Sequence, residues 1–244
     1  MIGINIKTEK PKAGLLLVAS PRFRNLGESL KRGSYSDRKL IDVEEIIGSL
    51  KKSISVVFPG IVFEREEMQI AMNLFYAEKV DFVIVEFMSW SEDFAWIRFL
   101  RDMPEMPILF VNPVKDKMTF KDTLDEDDFI DFLCSGTLVG SMEAAGSVPR
   151  IGRKNVRVIM GSREEVLKEI LRYSKIAKVR SVLRQAIFGL LANYNEVMWS
   201  TYIDPYNLFT RIGPELRFIS YSALADEISA VTDTETKLYK EELA

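Results

Sequence analysis

The 244-residue chain contains no histidine and a single cysteine, Cys134. That removes Ser-His-Asp and Cys-His nucleophiles, imidazole metal ligands and zinc sites built from Cys and His. Chemistry within the chain falls to carboxylates, Lys, Tyr and Arg. Three short segments concentrate side chains suited to binding: Arg22 and Arg24; Met88-Ser89-Trp90-Ser91; and Asn193-Tyr194-Asn195-Glu196-Val197-Met198-Trp199. A guanidinium donates hydrogen bonds to hydroxyls, and an indole face suits the C–H surface of a sugar ring. The same residues also read as solvated surface charges and as tryptophans packed between domains. Residue type alone leaves both readings open.

Other clusters point less clearly to ligands. Asp122, Asp125, Glu126, Asp127, Asp128 and Asp131 offer hard oxygen ligands. They lack the glycine and spacing of a calcium loop, and acidic residues complement a helix N-terminus equally well. Gly136, Gly140 and Gly146 depart from a dinucleotide fingerprint, and the turn from Ala19 to Arg24 has no glycine pair to cradle a pyrophosphate. No nucleotide cofactor is expected. Cys134 lies on an apolar helical face and reads as core filling.

The elements that position these residues alternate along the chain. Apolar runs at Leu15–Val18, Ile54–Phe58, Phe82–Val85 and Ile108–Val111 read as strands. Helical periodicity runs between them, from about Asp37 (Leu40, Ile41, Val43, Ile46, Ile47, Leu50), Arg65–Glu78 and Ser91–Arg101. Ser36 or Asp37 is expected to cap the first helix. β-Branched, near-continuous strands separated by helices predict a parallel sheet buried on both faces. A helix carrying Phe129, Ile130, Phe132 and Leu133 follows the acidic loop. Its small-residue tail (Gly136 to Gly146) reads as a connector between domains. The alternation restarts at Val156–Met160, with further strands at Ala186–Leu191 and Leu216–Ile219. The expected fold class is therefore α/β, with two consecutive Rossmann-like, doubly wound units: one over 1–150 and a second, small or incomplete, over 151–244. Arg22 and Trp90 both follow strands, so they are expected on one rim at the carboxyl ends of the first sheet, where ligands bind such folds.

Composition bounds the setting. The chain is 47% hydrophobic and 28% charged, with a net charge of −3, the balance of a globular protein without a basic footprint for nucleic acid. No run reaches the roughly 20 apolar residues that span a bilayer. The first residues, Met1 to Lys7, lack a signal-peptide core, and one cysteine cannot form an intrachain disulfide. A cytoplasmic protein without membrane or nucleic-acid partners is expected.

The loops after the strands carry a family resemblance. Arg22-Phe23-Arg24-Asn25-Leu26-Gly27-Glu28-Ser29-Leu30 resembles the R-x-x-x-x-x-E-S-L loop of L-fucose isomerases. Val85 to Trp96, followed by Met106-Pro107-Ile108-Leu109-Phe110, is similar to the third-strand loop, helix and next strand of the arabinose and fucose enzymes. Tyr194 to Pro205 resembles their Y-N-x-x-M-x-x-x-x-x-D-P segment without gaps, and Gly213 to Ile219 their following strand. The resemblance implies two Rossmann-like domains preceding a catalytic domain. There two carboxylates and a histidine hold a divalent cation, usually Mn²⁺, which orients the sugar for proton transfer through an enediol. It also implies a homo-oligomer in which the first domain of a neighbouring subunit caps the active site. Carried over position by position, Arg22, Trp90 and Met198 are the expected sugar contacts, with Arg24 and Trp199 as neighbouring alternatives. Catalytic residues and metal ligands are expected in none of this chain, and Mn²⁺ only in the full family enzyme. The rival is a stand-alone, non-catalytic sugar-binding or regulatory protein of the same descent. A two-domain sugar receptor of the periplasmic type is a third reading, disfavoured by the N-terminal sequence.

Overall fold

A computed structural model describes residues 9–91, 93–114, 122, 124–135, 137–191 and 203–242. Two compact units divide at residue 178. The first is built on a parallel sheet: β1 (Lys12–Val18), β2 (Ser55–Val57), β3 (Ile61–Val62), β4 (Phe82–Phe87), β5 (Ile108–Val114) and β6 (Val156–Ser162). β2 and β3 occupy one position. Both pair with the same strand, Lys12↔Ser55 at one end and Val18↔Val62 at the other. Pro59 supplies no donor to a ladder and Gly60 sits at φ +105° between them. The order (β2/β3)–β1–β4–β5–β6 is the 2-1-3-4-5 doubly wound arrangement, whose direction reverses between β1 and β4.

Helices cover both faces. α1 (Tyr35–Leu50), α4 (Glu126–Ser135) and α6 (Arg163–Leu183) bury Tyr35, Val43, Leu50, Ile130, Cys134, Val166 and Ile170 against Ala13, Leu15, Leu17, Ile84 and Leu109. α2 (Arg65–Ala77), α3 (Asp93–Asp102) and α5 (Leu138–Arg150) bury Met68, Phe75, Trp96, Phe99 and Ala144 against Leu16, Val18, Val83, Val85 and Phe110. Alternate residues of one strand thus feed two separate cores, which is why β1 and β4 read as unbroken apolar runs.

The structure corrects several expectations. Val156–Met160 does not open a second unit. It lies in β6, which pairs with β5 from Ile108↔Val156 to Val114↔Ser162 and forms the edge of the first sheet. The division therefore falls at 178 rather than 150. Gly140, Ala144, Ala145 and Gly146 are not part of a connector: they lie in α5, which packs on the sheet through Ala144 and on the Ser89 loop through Gly140. The cap of α1 is Ser34, two residues earlier than expected. Its hydroxyl accepts from Asp37 N–H, while the Asp37 carboxylate accepts from Ser34 N–H (2.9 Å), a reciprocal capping box.

Among the described residues the second unit, taken alone, holds two parallel strands rather than three, β7 (Ile187–Leu190) and β8 (Glu215–Phe218), paired Ile187↔Glu215 to Leu190↔Phe218. Between them run α7 (Pro205–Asn207) and a π-helical turn (Leu208–Ile212); α8 (Tyr221–Ala230) and α9 (Asp233–Glu242) follow. No helix among the described residues is long and apolar enough to cross a membrane.

Candidate functional site

The loops after β1 and β4 meet at the point where the strand order reverses, the position at which open α/β sheets take ligands. They are held together by main-chain and side-chain hydrogen bonds. Met88 N–H donates to Val18 O (2.8 Å) and Ser20 N–H to Ser89 Oγ (3.0 Å). Ser20 also caps a short 3₁₀ turn, Pro21–Phe23, by accepting from Arg22 N–H, and Pro21 presets its backbone. Tyr35, the first residue of α1, donates its hydroxyl to Met88 O (2.8 Å). Both loops are therefore fixed relative to the sheet before any ligand arrives.

This framework brings Arg22 and Trp90 together. The Arg22 guanidinium carbon lies over the indole, 5.6 Å from the ring centroid. Phe23 packs edge-on against the same indole at 5.5 Å and against Tyr35 at 5.3 Å. Arg22 is exposed and Trp90 half-buried. Beneath them α5 presses on the loop: a Cβ built on Gly140 would stand 1.9 Å from Ser89 O, so only glycine fits there. The rim expected for Arg22 and Trp90 is thus present as geometry. It presents a cation and an aromatic surface, the pair suited to hydroxyls and C–H faces.

Arg24 is placed differently. Its guanidinium turns toward α2, pairing with Glu67 (2.5 Å) and lying 4.6 Å over the Phe63 ring. Glu67 in turn accepts from Phe63 and Glu64 N–H. Arg24 therefore ties the loop to the start of α2. Met198 and Trp199 lie outside the described residues.

Burial raises the Tyr35 phenol far above its ordinary value and pushes the Cys134 thiol up to about 11, so both stay protonated near neutrality. The acidic cluster is committed to arginine. Arg38 pairs with Asp127 (2.5 Å) and Asp131 (2.7 Å), and Arg32 with Asp128 (2.7 Å) and Asp131. Among the described residues no three His, Cys, Asp or Glu side chains are grouped to hold a metal ion.

The sequence reading did not single out Lys39 or Glu86, both of which the fold buries. Lys39 is 2% and Glu86 7% exposed. Tyr35, Lys39, Val43 and Leu50 form the inward stripe of α1, whereas Leu40 and Ile41 face outward at 45% and 61% exposure. The signals were the i, i+4 spacing of Lys39 from Tyr35 and Val43, and a carboxylate inside the apolar run Phe82–Phe87. Compared with known proteins, the chain matches no family model and no curated protein.

Proposed function

We propose that this chain is the N-terminal part of an aldose–ketose isomerase of the L-fucose/L-arabinose type. It contributes oligomer contacts and the Arg22–Trp90 rim to sugar binding, in the cytoplasm, while the metal-dependent step is performed by residues it does not contain. The observation that carries the reading is the juxtaposition of a guanidinium and an indole on the carboxyl rim at the strand reversal. Two of the segments that suggested the family, Arg22 to Leu30 and the loop that begins at Met88, include the residues that meet there. The absence of any histidine supports the division of labour, since the family's ligand set cannot be completed from this chain.

One observation favours a subunit or portion of an assembly over a stand-alone binder. Within the second unit, Leu208 and Pro214 are the only apolar side chains buried among the described residues. Ile187, Phe188 and Phe218 on its two strands are 45–52% exposed. Parallel strands of this composition require cover on both faces.

The test is a ketose assay and a titration on the same preparation. With L-fucose or L-arabinose and added Mn²⁺, no turnover above the no-protein control is expected. Calorimetry should register weak sugar binding, because few contacts must offset the cost of association. Trp90→Ala should weaken it at least about fivefold, as loss of ~40 Å² of apolar contact implies. Steady turnover, or binding indifferent to Trp90, would overturn the reading.

A further inference from the structure

The sheet of the first unit ends differently on its two sides. On one, β2 and β3 are short and interrupted at Pro59 and Gly60, so little continuous ladder is offered. On the other, β6 runs for seven residues, Val156-Arg157-Val158-Ile159-Met160-Gly161-Ser162, without a proline, and among the described residues it pairs with β5 alone. Ile108 N–H donates to Asn155 O (2.9 Å) across that ladder, so by alternation Arg157, Ile159 and Gly161 turn their main-chain groups toward β5. Those of Val156, Val158, Met160 and Ser162 turn outward. Ser162 N–H is satisfied by the Glu165 carboxylate (2.8 Å); Val158 and Met160 are left without a partner strand. Side chains alternate in step. Ile159 packs into the core beneath α6 and Val156 into the one beneath α5. Val158 and Met160 share the face of Val156, yet both are more than half exposed.

This edge is complementary to itself. Set antiparallel against β6 of a second copy, with the two-fold axis at Ile159, Val158 comes opposite Met160 and the two exchange both main-chain hydrogen bonds. Val156 N–H meets Ser162 O, and the exposed valines and methionines gather into one apolar cluster across the axis. Arg157 then falls opposite Gly161, in a non-hydrogen-bonded pair with Cα atoms about 4.5 Å apart. A Cβ on Gly161 would stand 2.8 Å from Glu165 Oε2, so a carboxylate occupies the space where the opposing guanidinium arrives. Both bonds that Glu165 accepts from Ser162 use Oε2 (2.8 and 2.9 Å), which leaves Oε1 for the arginine. Sliding the strands by two residues destroys the match: Arg157 meets Ile159 in one direction and Arg163, a like charge, in the other. The charge match within a single register selects a second copy over an unrelated strand.

We propose that β6 is the interface strand of a two-fold dimer of this chain, paired antiparallel with itself about Ile159, with Arg157 of each copy answered by Glu165 of the other. Such an interface is isologous, and one sheet runs through both first units. The inference uses residues of the first unit alone and stands whether or not the isomerase reading does.

The experiment is disulfide trapping of the full chain. Val158→Cys, Met160→Cys and the double variant are oxidised mildly at micromolar concentration and separated without reductant. The parent, whose Cys134 is buried, is the control. In the double variant the introduced thiols of two copies lie on directly opposed residues, with Cα atoms about 5.5 Å apart, within disulfide reach. A covalent dimer should dominate. Each single variant offers only a diagonal pair, about 7–8 Å apart, and should be trapped at least about tenfold less, since that separation strains the bond. Val158→Lys should raise the dimer dissociation constant in ultracentrifugation at least about tenfold, as a charge set in an apolar cluster implies. Met160→Pro deletes an outward N–H and no bond to β5, and should act in the same direction; if one variant does not fold, the other decides. No trapped dimer in the double variant, trapping as strong in a single variant, or a dissociation constant untouched by both substitutions would overturn the proposal. None of these readouts involves sugar, so their failure is separate from failure of the rim.

Discussion

The indole of Trp90 owes its position to a residue with no side chain. Gly140 brings the first turn of α5 against the peptide after Ser89, where a Cβ would lie 1.9 Å from Ser89 O and 2.6 Å from Ser89 C. In an ordinary helix, Gly→Ala gains about 1 kcal/mol. Here both atoms in the way are backbone, so the helix or the loop must move, and overpacking costs roughly 1–3 kcal/mol. Gly140→Ala should therefore lower the urea midpoint at unchanged slope, corresponding to a net loss of up to roughly 2 kcal/mol, and weaken sugar binding along with it. A variant as stable as the parent would show that α5 does not set the loop. The sequence marked Arg22 and Trp90 because strand ends are visible as the limits of apolar runs. It could not mark Gly140, whose role is a close approach between a helix and a loop about 50 residues apart in the chain. Lys39 escaped for a related reason: its charge argued for solvent, while its spacing from Tyr35 and Val43 placed it inward.

Elements were more legible than their ends. Four of the first unit's six strands, β1, β2, β4 and β5, and the helices between them follow from apolar periodicity, but caps depend on single hydrogen bonds. α1 starts at Tyr35, more than a turn before Leu40, the first apolar residue of the periodicity read from the sequence, because Ser34 and Asp37 satisfy each other's backbone. Hydrogen bonds from the Ser34 side chain, then its backbone, hold the Asp37 carboxyl below its ordinary value. A carboxylate whose folded pKa is depressed stabilises above the unfolded pKa and loses that contribution as pH falls through the folded one. Asp37→Asn should thus destabilise the protein at neutral pH, and the difference from the parent should shrink steadily below about pH 4. Denaturation midpoints measured from pH 7 to pH 3 test this; a difference independent of pH would contradict it. The acidic segment before α4 was readable as charge but not as purpose, since its partners Arg32 and Arg38 lie about 90 residues earlier. β6 was recognised as a strand yet assigned to the wrong unit. Strand pairing is set by tertiary packing, and the change from helix to strand at residue 156 looks the same whether the strand joins an old sheet or begins a new one.

At the scale of the molecule, the two units differ in how they bury apolar surface. The first has two cores on a complete 2-1-3-4-5 sheet. The second has a two-stranded sheet with Ile187, Phe188, Phe209, Ile212 and Phe218 about half exposed, and two strands alone do not make an independently stable sheet. β6 also leaves Val158 and Met160 at 58% and 60% exposure on an edge strand. Exposed edges and apolar patches of this kind pair with other chains. Light scattering should therefore find a homo-oligomer that persists on dilution through the micromolar range; a clean monomer throughout would contradict the assembly.

The central claim is that the Arg22–Trp90 rim contacts sugar, and two of the chain's three indole N–H groups, those of Trp90 and Trp96, offer a direct reading of it. Trp96 is fully buried and donates its Nε1–H to Ala144 O (3.0 Å), so it serves as an internal control beside half-buried Trp90. In a ¹H–¹⁵N titration with L-fucose and L-arabinose, the Trp90 indole resonance should shift saturably with at least one of them, while that of Trp96 stays fixed. A Trp90 resonance unmoved by either sugar, or one that moves only in step with Trp96, would contradict the account.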